Sequence, residues 1–284
     1  MTQTCEASEG RSARAQYDAF YTARARTDLV TRLYREAMEK DYPSEVGAFS
    51  SCDWPLLGLM TARLRMRPGQ MLVDAGCGTG GIGLWLARAL DARLLGFDIS
   101  PAAVAQATDR GRTFSFTPGR AAFRVGALER SGLPGDCADG IVCVDALSRA
   151  DRAAAFREFA RIMAPDGRLV ITRALRRGTA PAWEDAHAAG LAVEDLDERP
   201  DEPAMWERLY QLWIAYADDL RRELGQTQAQ RMLDEARRVL PMLPGRRAVL
   251  VTLRRSEPPG PVDTMGRFGC RPGGWTTTNE RTPQ

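Results

Sequence analysis

The stretch Val73-Asp74-Ala75-Gly76-Cys77-Gly78-Thr79-Gly80-Gly81 decides the fold of this chain. The apolar run Gln70–Asp74 that leads into it predicts a buried strand, and the apolar face of Gly81–Leu90 that follows predicts a helix. Glycines between a strand and a helix allow a tight turn and let a ligand approach the backbone. Free N–H groups at the helix N-terminus add donors there. We therefore expect a ligand site at this loop.

The alternation of short apolar strands and amphipathic helices continues on both sides of the loop. This pattern predicts an α/β fold with a doubly wound, mostly parallel seven-stranded sheet. The remaining strands are expected at Arg93–Asp98, Ala122–Val125, Gly140–Val144, Arg168–Thr172, Leu191–Leu196 and Ala248–Leu253.

Two helical segments fall outside this alternation, one before the first strand and one before the last. Apolar spacings of three and four residues predict the first over Ala13–Lys40 and the second as two helices, Pro203–Leu224 and Thr227–Leu240. The resulting division is a frayed N-terminus at 1–12, a helical cap at 13–66, a binding core at 67–200, a two-helix lid insertion at 201–245, the last core strand at 246–255 and a disordered tail at 256–284.

Composition excludes several classes of protein. The net charge of +2 gives no basic face for a nucleic acid. No apolar segment is long enough to be a signal peptide or a membrane span. The six cysteines show no metal-ligand spacing. We therefore expect a cytoplasmic protein with reduced thiols, no metal, and no nucleic-acid or membrane partner.

The acid Asp98, at the end of the second predicted strand, narrows the choice of ligand. Adjacent strand ends meet at the ligand crevice, where a carboxylate can accept hydrogen bonds from ribose hydroxyls. Gly76, Gly78 and Gly81 also satisfy the dinucleotide pattern GxGxxG. However, Asp74 just before the glycines would repel a pyrophosphate, whereas it would attract an amino group. These residues favour S-adenosylmethionine over a dinucleotide.

Three blocks carry a resemblance to a known family: Leu72–Ala107, Val142–Leu147 and Arg161–Val170. They resemble the class I S-adenosylmethionine-dependent methyltransferases, particularly the small-molecule enzymes of actinomycete-type genomes, over most of residues 13–255. The resemblance implies that the sheet ends in an antiparallel hairpin. It also implies that S-adenosyl-L-methionine is the cofactor.

The same resemblance implies a set of cofactor-binding residues. Asp74, Gly76, Cys77 and Gly78 would line the methionine end, with Ser50 reaching its carboxylate and Asp145 lying under the sulfonium; Asp98, Ile99, Ala127 and Leu128 would hold the ribose and adenine. One position departs from the family pattern, because Ala127 stands where relatives place an acid for the adenine amino group.

The two helical segments are expected to roof the crevice, since lids of this kind exclude water and position a substrate. The candidates for the substrate pocket are aromatic: Tyr17, Tyr21, Trp206, Tyr210 and Trp213. The alternative is that the stripe formed by the last three, which share one helix face, is the apolar core of the lid.

No residue stands out as a general base. The candidates are Asp145, Tyr21 and His187, the only histidine; the alternatives are a structural role for Asp145 and a surface position for His187. The leaving group of a sulfonium is already activated, so alignment of the reactants can supply most of the catalysis.

The leading hypothesis is methyl transfer to nitrogen, oxygen or carbon of a small molecule, in specialised metabolism such as antibiotic biosynthesis. A second hypothesis is a cyclase, or another enzyme without methyl transfer, that keeps the cofactor as a scaffold. Methylation of RNA or protein is a third, and the near-neutral charge argues against it. Relatives are often dimers, so a homodimer is an expectation as well.

Overall fold

Seven strands form one sheet in the computed structural model, which describes residues 2–114, 116–117, 119–179 and 182–256. The sheet order is β3-β2-β1-β4-β5-β7-β6, and only β7 runs antiparallel to its neighbours. The predicted fold class is therefore confirmed, including the antiparallel hairpin at the end. The bounds are β1 Met71–Ala75, β2 Arg93–Asp98, β3 Ala121–Val125, β4 Ala138–Cys143, β5 Met163–Arg176, β6 Leu191–Glu198 and β7 Arg246–Arg255.

Ten helices accompany the strands within the described part of the chain. They are α1 Thr2–Arg24, α2 Leu29–Met38, α3 Trp54–Leu64, α4 Gly81–Ala89, α5 Pro101–Thr113, α6 Arg152–Ile162, α7 Glu184–Ala188, α8 Glu202–Ala215, α9 Ala217–Leu224 and α10 Gln226–Val239. Helices α3 and α4 pack on one face of the sheet, and α6 and α7 pack on the other.

The alternating direction of the side chains along the central strands explains why helices cover both faces of the sheet. Successive side chains of a strand point to opposite faces. Leu72 and Val142 accordingly lie in the apolar cluster with α3 and α4, whereas their neighbours Val73 and Ile141 lie in the cluster with α6. All four side chains are fully buried, as the continuous apolar runs of these strands require.

The N-terminal helices differ from the expectation in two ways. The helix expected over 13–40 is interrupted after Arg24 and resumes at Leu29 as α2. Helix α1 also begins at Thr2, so the segment expected to be frayed is helical. It contains no proline, and residues such as Glu6 and Ala7 favour a helix.

The insertion between β6 and β7 contains three helices rather than two. The helix expected over 203–224 is divided at Tyr216, whose backbone dihedrals (φ −98°, ψ 26°) depart from the helical values. Asp218 and Asp219 lie in the first turn of α9, where acids stabilise a helix start.

The lid has an apolar core of its own, formed by α2 and the three inserted helices. Its buried residues include Leu33, Leu209 and Leu220, each exposed by 2% or less. The two ends of the insertion meet at the sheet, because the N–H of Arg199 donates to the carbonyl oxygen of Ala248 at 2.9 Å. The tail expected to be disordered lies outside the described residues beyond Ser256.

Candidate functional site

A cavity of about 210 Å³ lies at the carboxyl ends of β1, β2 and β4. It brings together most of the residues expected from the sequence, although they come from distant parts of the chain. The expected residues that line it are Tyr17, Tyr21, Ser50, Gly76, Cys77, Gly78, Asp98, Ile99, Ala127, Leu128 and Asp145.

The glycine loop forms the floor of the cavity, and its backbone favours glycine at the two positions Gly76 and Gly78 that line the cavity. Gly76 and Gly78 have φ of +74° and +52°, in the left-handed region that side chains disfavour. A Cβ on Gly78 would lie 2.8 Å from the Tyr21 hydroxyl oxygen, and one on Gly76 would lie 2.5 Å from the Cβ of Ala146. The loop is therefore in close contact with the walls of the cavity.

Asp98 lies at the end of β2 with its carboxylate anchored by backbone donors. Oδ2 accepts from the N–H of Gly78 at 3.0 Å, and Oδ1 accepts from the N–H of Ser100 at 2.9 Å. Burial raises the pKa of Asp98 because it disfavours the charged form, whereas these two hydrogen bonds oppose the rise. The carboxylate thus holds the glycine loop in place while lining the cavity.

Asp74, in contrast, lies behind the loop and does not line the cavity. Its side chain is buried, and Oδ2 accepts from the N–H of Gly83 in the first turn of α4 at 3.0 Å. Burial raises the pKa of this carboxyl group to about 7, although the bond from Gly83 opposes the rise. Asp74 therefore supports the helix that follows the loop, rather than lining the methionine end as expected.

Asp145 follows β4 with φ of +57°, a left-handed conformation that aspartate tolerates better than most residues. Its Oδ2 accepts from the N–H of Ser51 at 2.7 Å, and its Oδ1 accepts from the Thr172 hydroxyl at 2.9 Å. Both carboxylate oxygens are thus engaged in positioning the segment around Ser50. This geometry favours a structural role for Asp145 over that of a general base.

Arg199 is a contributor to the site that sequence reasoning missed. It is 7% exposed, its Nη1 donates to the Ser51 hydroxyl at 2.9 Å, and its Nη2 lies 3.5 Å from Asp53 Oδ2. Arg199 lies at the start of the lid insertion, far from residues 50–53 in the chain. No local pattern in the sequence could have indicated this pairing.

Helix α1 covers the cavity and is held there by Asp18, another residue that sequence reasoning missed. Asp18 Oδ1 accepts from the Ser100 hydroxyl at 2.6 Å and from the N–H of Ala102 at 2.9 Å. These donors belong to the N-terminus of α5, where an acid is favourable. One turn further along α1, Tyr21 contacts the glycine loop.

The aromatic stripe of α8 lies in the lid core, outside the cavity lining. Tyr210 and Trp213 are buried, and Trp206 is partly buried. The rings of Trp206 and Tyr210 stack with centroids 5.4 Å apart, and the Tyr210 hydroxyl donates to Glu235 at 3.2 Å. This placement corresponds to the alternative interpretation of the stripe as apolar core of the lid.

The remaining candidates do not supply a base. His187 is exposed on α7 and does not line the cavity. Burial raises the pKa of Tyr21 well above its usual range and raises that of Tyr17, so both phenols stay protonated at neutral pH.

Two negative findings apply to the described ranges alone. No cluster of three or more histidine, cysteine, aspartate or glutamate side chains in them could hold a metal ion. Every helix found there is too short or too polar to traverse a lipid bilayer.

This sheet, with one reversed strand and a glycine loop at the end of β1, defines a methyltransferase-type α/β protein. Residues 72–167 match the family described as methyltransferase domain. The methyltransferase GfsG of Streptomyces halstedii is 29% identical over 189 residues, which are 64% of this chain and 68% of that protein. The 27-O-demethylrifamycin SV methyltransferase of Amycolatopsis mediterranei is 28% identical over 157 residues, 55% of each chain.

Among solved structures, the cyclase SpnF superposes with a TM-score of 0.65 at 21% identity. The superposition covers 81% of this chain and 94% of SpnF. Residues 72–167 therefore form a methyltransferase domain, the chain has the fold of the class I enzymes, and S-adenosylmethionine is its cofactor.

Proposed function

We propose that this enzyme transfers the methyl group of S-adenosylmethionine to nitrogen, oxygen or carbon of a small molecule made in specialised metabolism. The observation that carries the proposal is the cavity itself, in which the glycine loop and Asp98 face aromatic side chains of α1. A largely apolar pocket with a few fixed polar groups is typical of a small-molecule site.

The residues present fit the cofactor. Gly76 and Gly78 line the cavity without a side chain, which suits a ligand lying against the backbone. Asp98 and Ile99 would hold the ribose and adenine, with Ala127 and Leu128 beside them, and Ser50 and Asp145 would lie near the methionine. When bound, S-adenosylmethionine supplies a methyl group on an activated sulfonium.

The side chains of the cavity mainly orient the reactants and exclude water. Tyr17, Phe20, Tyr21 and Phe49 form an apolar roof, and aromatic faces also favour cations. Both oxygens of Asp145 are already bonded within the protein. We infer that the acceptor is an amine, a phenol-like hydroxyl or an activated carbon, whose reaction needs little help from a base.

The test is incubation with S-adenosylmethionine labelled on its methyl group and a panel of amines, phenols and activated-carbon acceptors. Transfer of label to an acceptor is the expected result. Asp98→Asn should weaken cofactor binding by about tenfold or more, since a charge-assisted bond contributes about 1.5–3 kcal/mol. Exposed Asp109→Asn is the matched control.

Tight cofactor binding with no transfer to any acceptor or extract component would contradict the proposal. Product formation that continues with S-adenosylhomocysteine in place of the cofactor would identify a scaffolded cyclase instead. Binding of RNA that weakens with salt would point to a macromolecular substrate.

The cellular setting is part of the same proposal. We infer a cytoplasmic enzyme that works without nucleic acid or membrane, as a homodimer. Light scattering of the purified protein tests the homodimer, and fractionation of the producing cells tests the cytoplasmic location.

A further inference from the structure

A second cavity of about 180 Å³ lies between the end of α1, the segment 43–49 and α5. We name it the polar pocket, because six of its lining residues carry polar side chains: Arg24, Thr31, Ser44, Thr79, Gln106 and Arg110. Phe49 and Thr79 also line the cofactor cavity. The two cavities therefore share a wall that includes the glycine loop.

Arg24 is a buried cation that forms no ion pair within the described ranges, although it interacts with the Tyr34 side chain and is attracted by Glu235. It is 5% exposed, and its Nη1 is buried without a hydrogen-bond partner. Its guanidinium carbon lies 3.6 Å from the centroid of the Phe20 ring and 4.8 Å from that of Phe49. These contacts offset part of the desolvation cost, but burial of an unpaired charge remains expensive.

Arg110 contributes a second cation to the same pocket. Its Nη1 donates to the carbonyl oxygen of Val46 and to the Thr79 hydroxyl, the latter at 3.3 Å. Neither Arg24 nor Arg110 forms an ion pair within the described ranges, and the lining of the pocket includes no acidic side chain there. Burial lowers the pKa of both groups, yet arginine keeps its charge at neutral pH.

We propose that the polar pocket binds a small oxyanion, such as a phosphate, sulfate or carboxylate group. Guanidinium groups are the donors that suit such anions best, and the hydroxyl of Thr79 adds a neutral donor beside them. An anion between Arg24 and Arg110 would pair with two cations that form no ion pair within the described ranges. The inference rests on this pocket alone, independently of the methyl acceptor.

The probe is inorganic phosphate, titrated while the thermal unfolding midpoint of the full chain is measured, with sodium chloride at equal ionic strength as the reference. We expect a saturable rise in midpoint for the wild-type protein, because ligands that bind only the folded state stabilise it. Arg24→Met and Arg110→Gln should each lose most of this rise. Arg112→Gln, an exposed arginine of the same helix α5, should retain it.

Phosphate at high concentration stabilises most proteins, so the response of the variants decides the outcome. Equal responses of Arg24→Met, Arg110→Gln and the wild-type protein would overturn the proposal, as would equal effects of phosphate and chloride. Circular dichroism checks that each variant is folded. If Arg24→Met does not fold, calorimetric titration of Arg110→Gln with phosphate decides the outcome.

Repeating the titration with saturating S-adenosylhomocysteine identifies the source of the anion. An unchanged phosphate response means that the pocket takes a free anion or an acidic group of the acceptor. A response that disappears means that the carboxylate of the cofactor fills the pocket, and Arg24→Met should then weaken S-adenosylhomocysteine binding by about tenfold.

Discussion

At the scale of single residues, two acids of similar sequence context have different roles in the fold. Asp98 holds the glycine loop and also lines the cavity, whereas Asp74 is buried behind the loop and bonds to Gly83. The sequence indicates that both lie at strand ends. It does not indicate which side of the loop each carboxylate occupies, because that depends on the packing of α4 on β1.

Asp74 makes the stability of the free enzyme depend on pH. Its pKa is about 7 in the folded protein and about 4 when unfolded. Between these values only the folded chain keeps the proton, so the free energy of unfolding should fall as pH rises from about 4 to about 7. Asp74→Asn should remove this decline, worth up to about 4 kcal/mol.

Urea unfolding of both proteins between pH 4 and 8 measures the effect, with exposed Asp109→Asn as control. A constant difference between wild type and Asp74→Asn across this range would show that Asp74 does not titrate there.

Ala127 is a position at which a substitution should raise the affinity for S-adenosylmethionine. It lines the cavity after β3, where an acid would accept from the adenine amino group. Ala127→Asp should tighten S-adenosylmethionine binding about fivefold, the value of one hydrogen bond of about 1 kcal/mol. Calorimetry measures the change, and Ala105→Asp on the exposed side of α5 controls for added charge. No gain in affinity would mean that adenine lies beyond reach of this position.

At the scale of elements, α1 is held over the cavity in part by the hydrogen bonds of Asp18. Asp18→Ala removes the bonds to Ser100 and Ala102, so α1 should open more often and S-adenosylhomocysteine should bind up to about tenfold more weakly. The thermal midpoint of the sheet should change little. Gln16→Ala, on the exposed side of α1, is the matched control, and equal affinities of the two variants would contradict this role of α1.

The sequence predicts the strand bounds better than the positions of the lid side chains, because the strand signals are local and the packing of the lid is not. Strand β2 has the predicted bounds, because apolar periodicity is a local signal; capping is local too, as Ser100 at the start of α5 shows. The position of Trp206 depends instead on packing of α8 against α2, far away in the chain. Which aromatic residue faces the cavity and which the lid core therefore cannot be deduced from helical spacing.

At the scale of the whole molecule, the buried side chains form three apolar clusters. Two of them sandwich the sheet, and the third joins α2 to the inserted helices. Cofactor binding should therefore slow amide hydrogen exchange in α1 and in residues 43–53, while β5 and β7 should keep the same protection. Mass spectrometry with and without S-adenosylhomocysteine measures this, and uniform slowing across the sheet would contradict a cavity covered by α1 and residues 43–53.

The hydrogen bond between Arg199 and Ala248 fixes the two ends of the lid insertion side by side. An insert whose ends already meet can change length at little entropic cost, since the cost of closing a loop grows only slowly with its length. The α8–α10 segment is thus a natural unit for exchange between enzymes of this fold. Such a graft would alter the apolar core of the lid while leaving β1 and β2 untouched, provided that the face of α2 that packs against it is transplanted too.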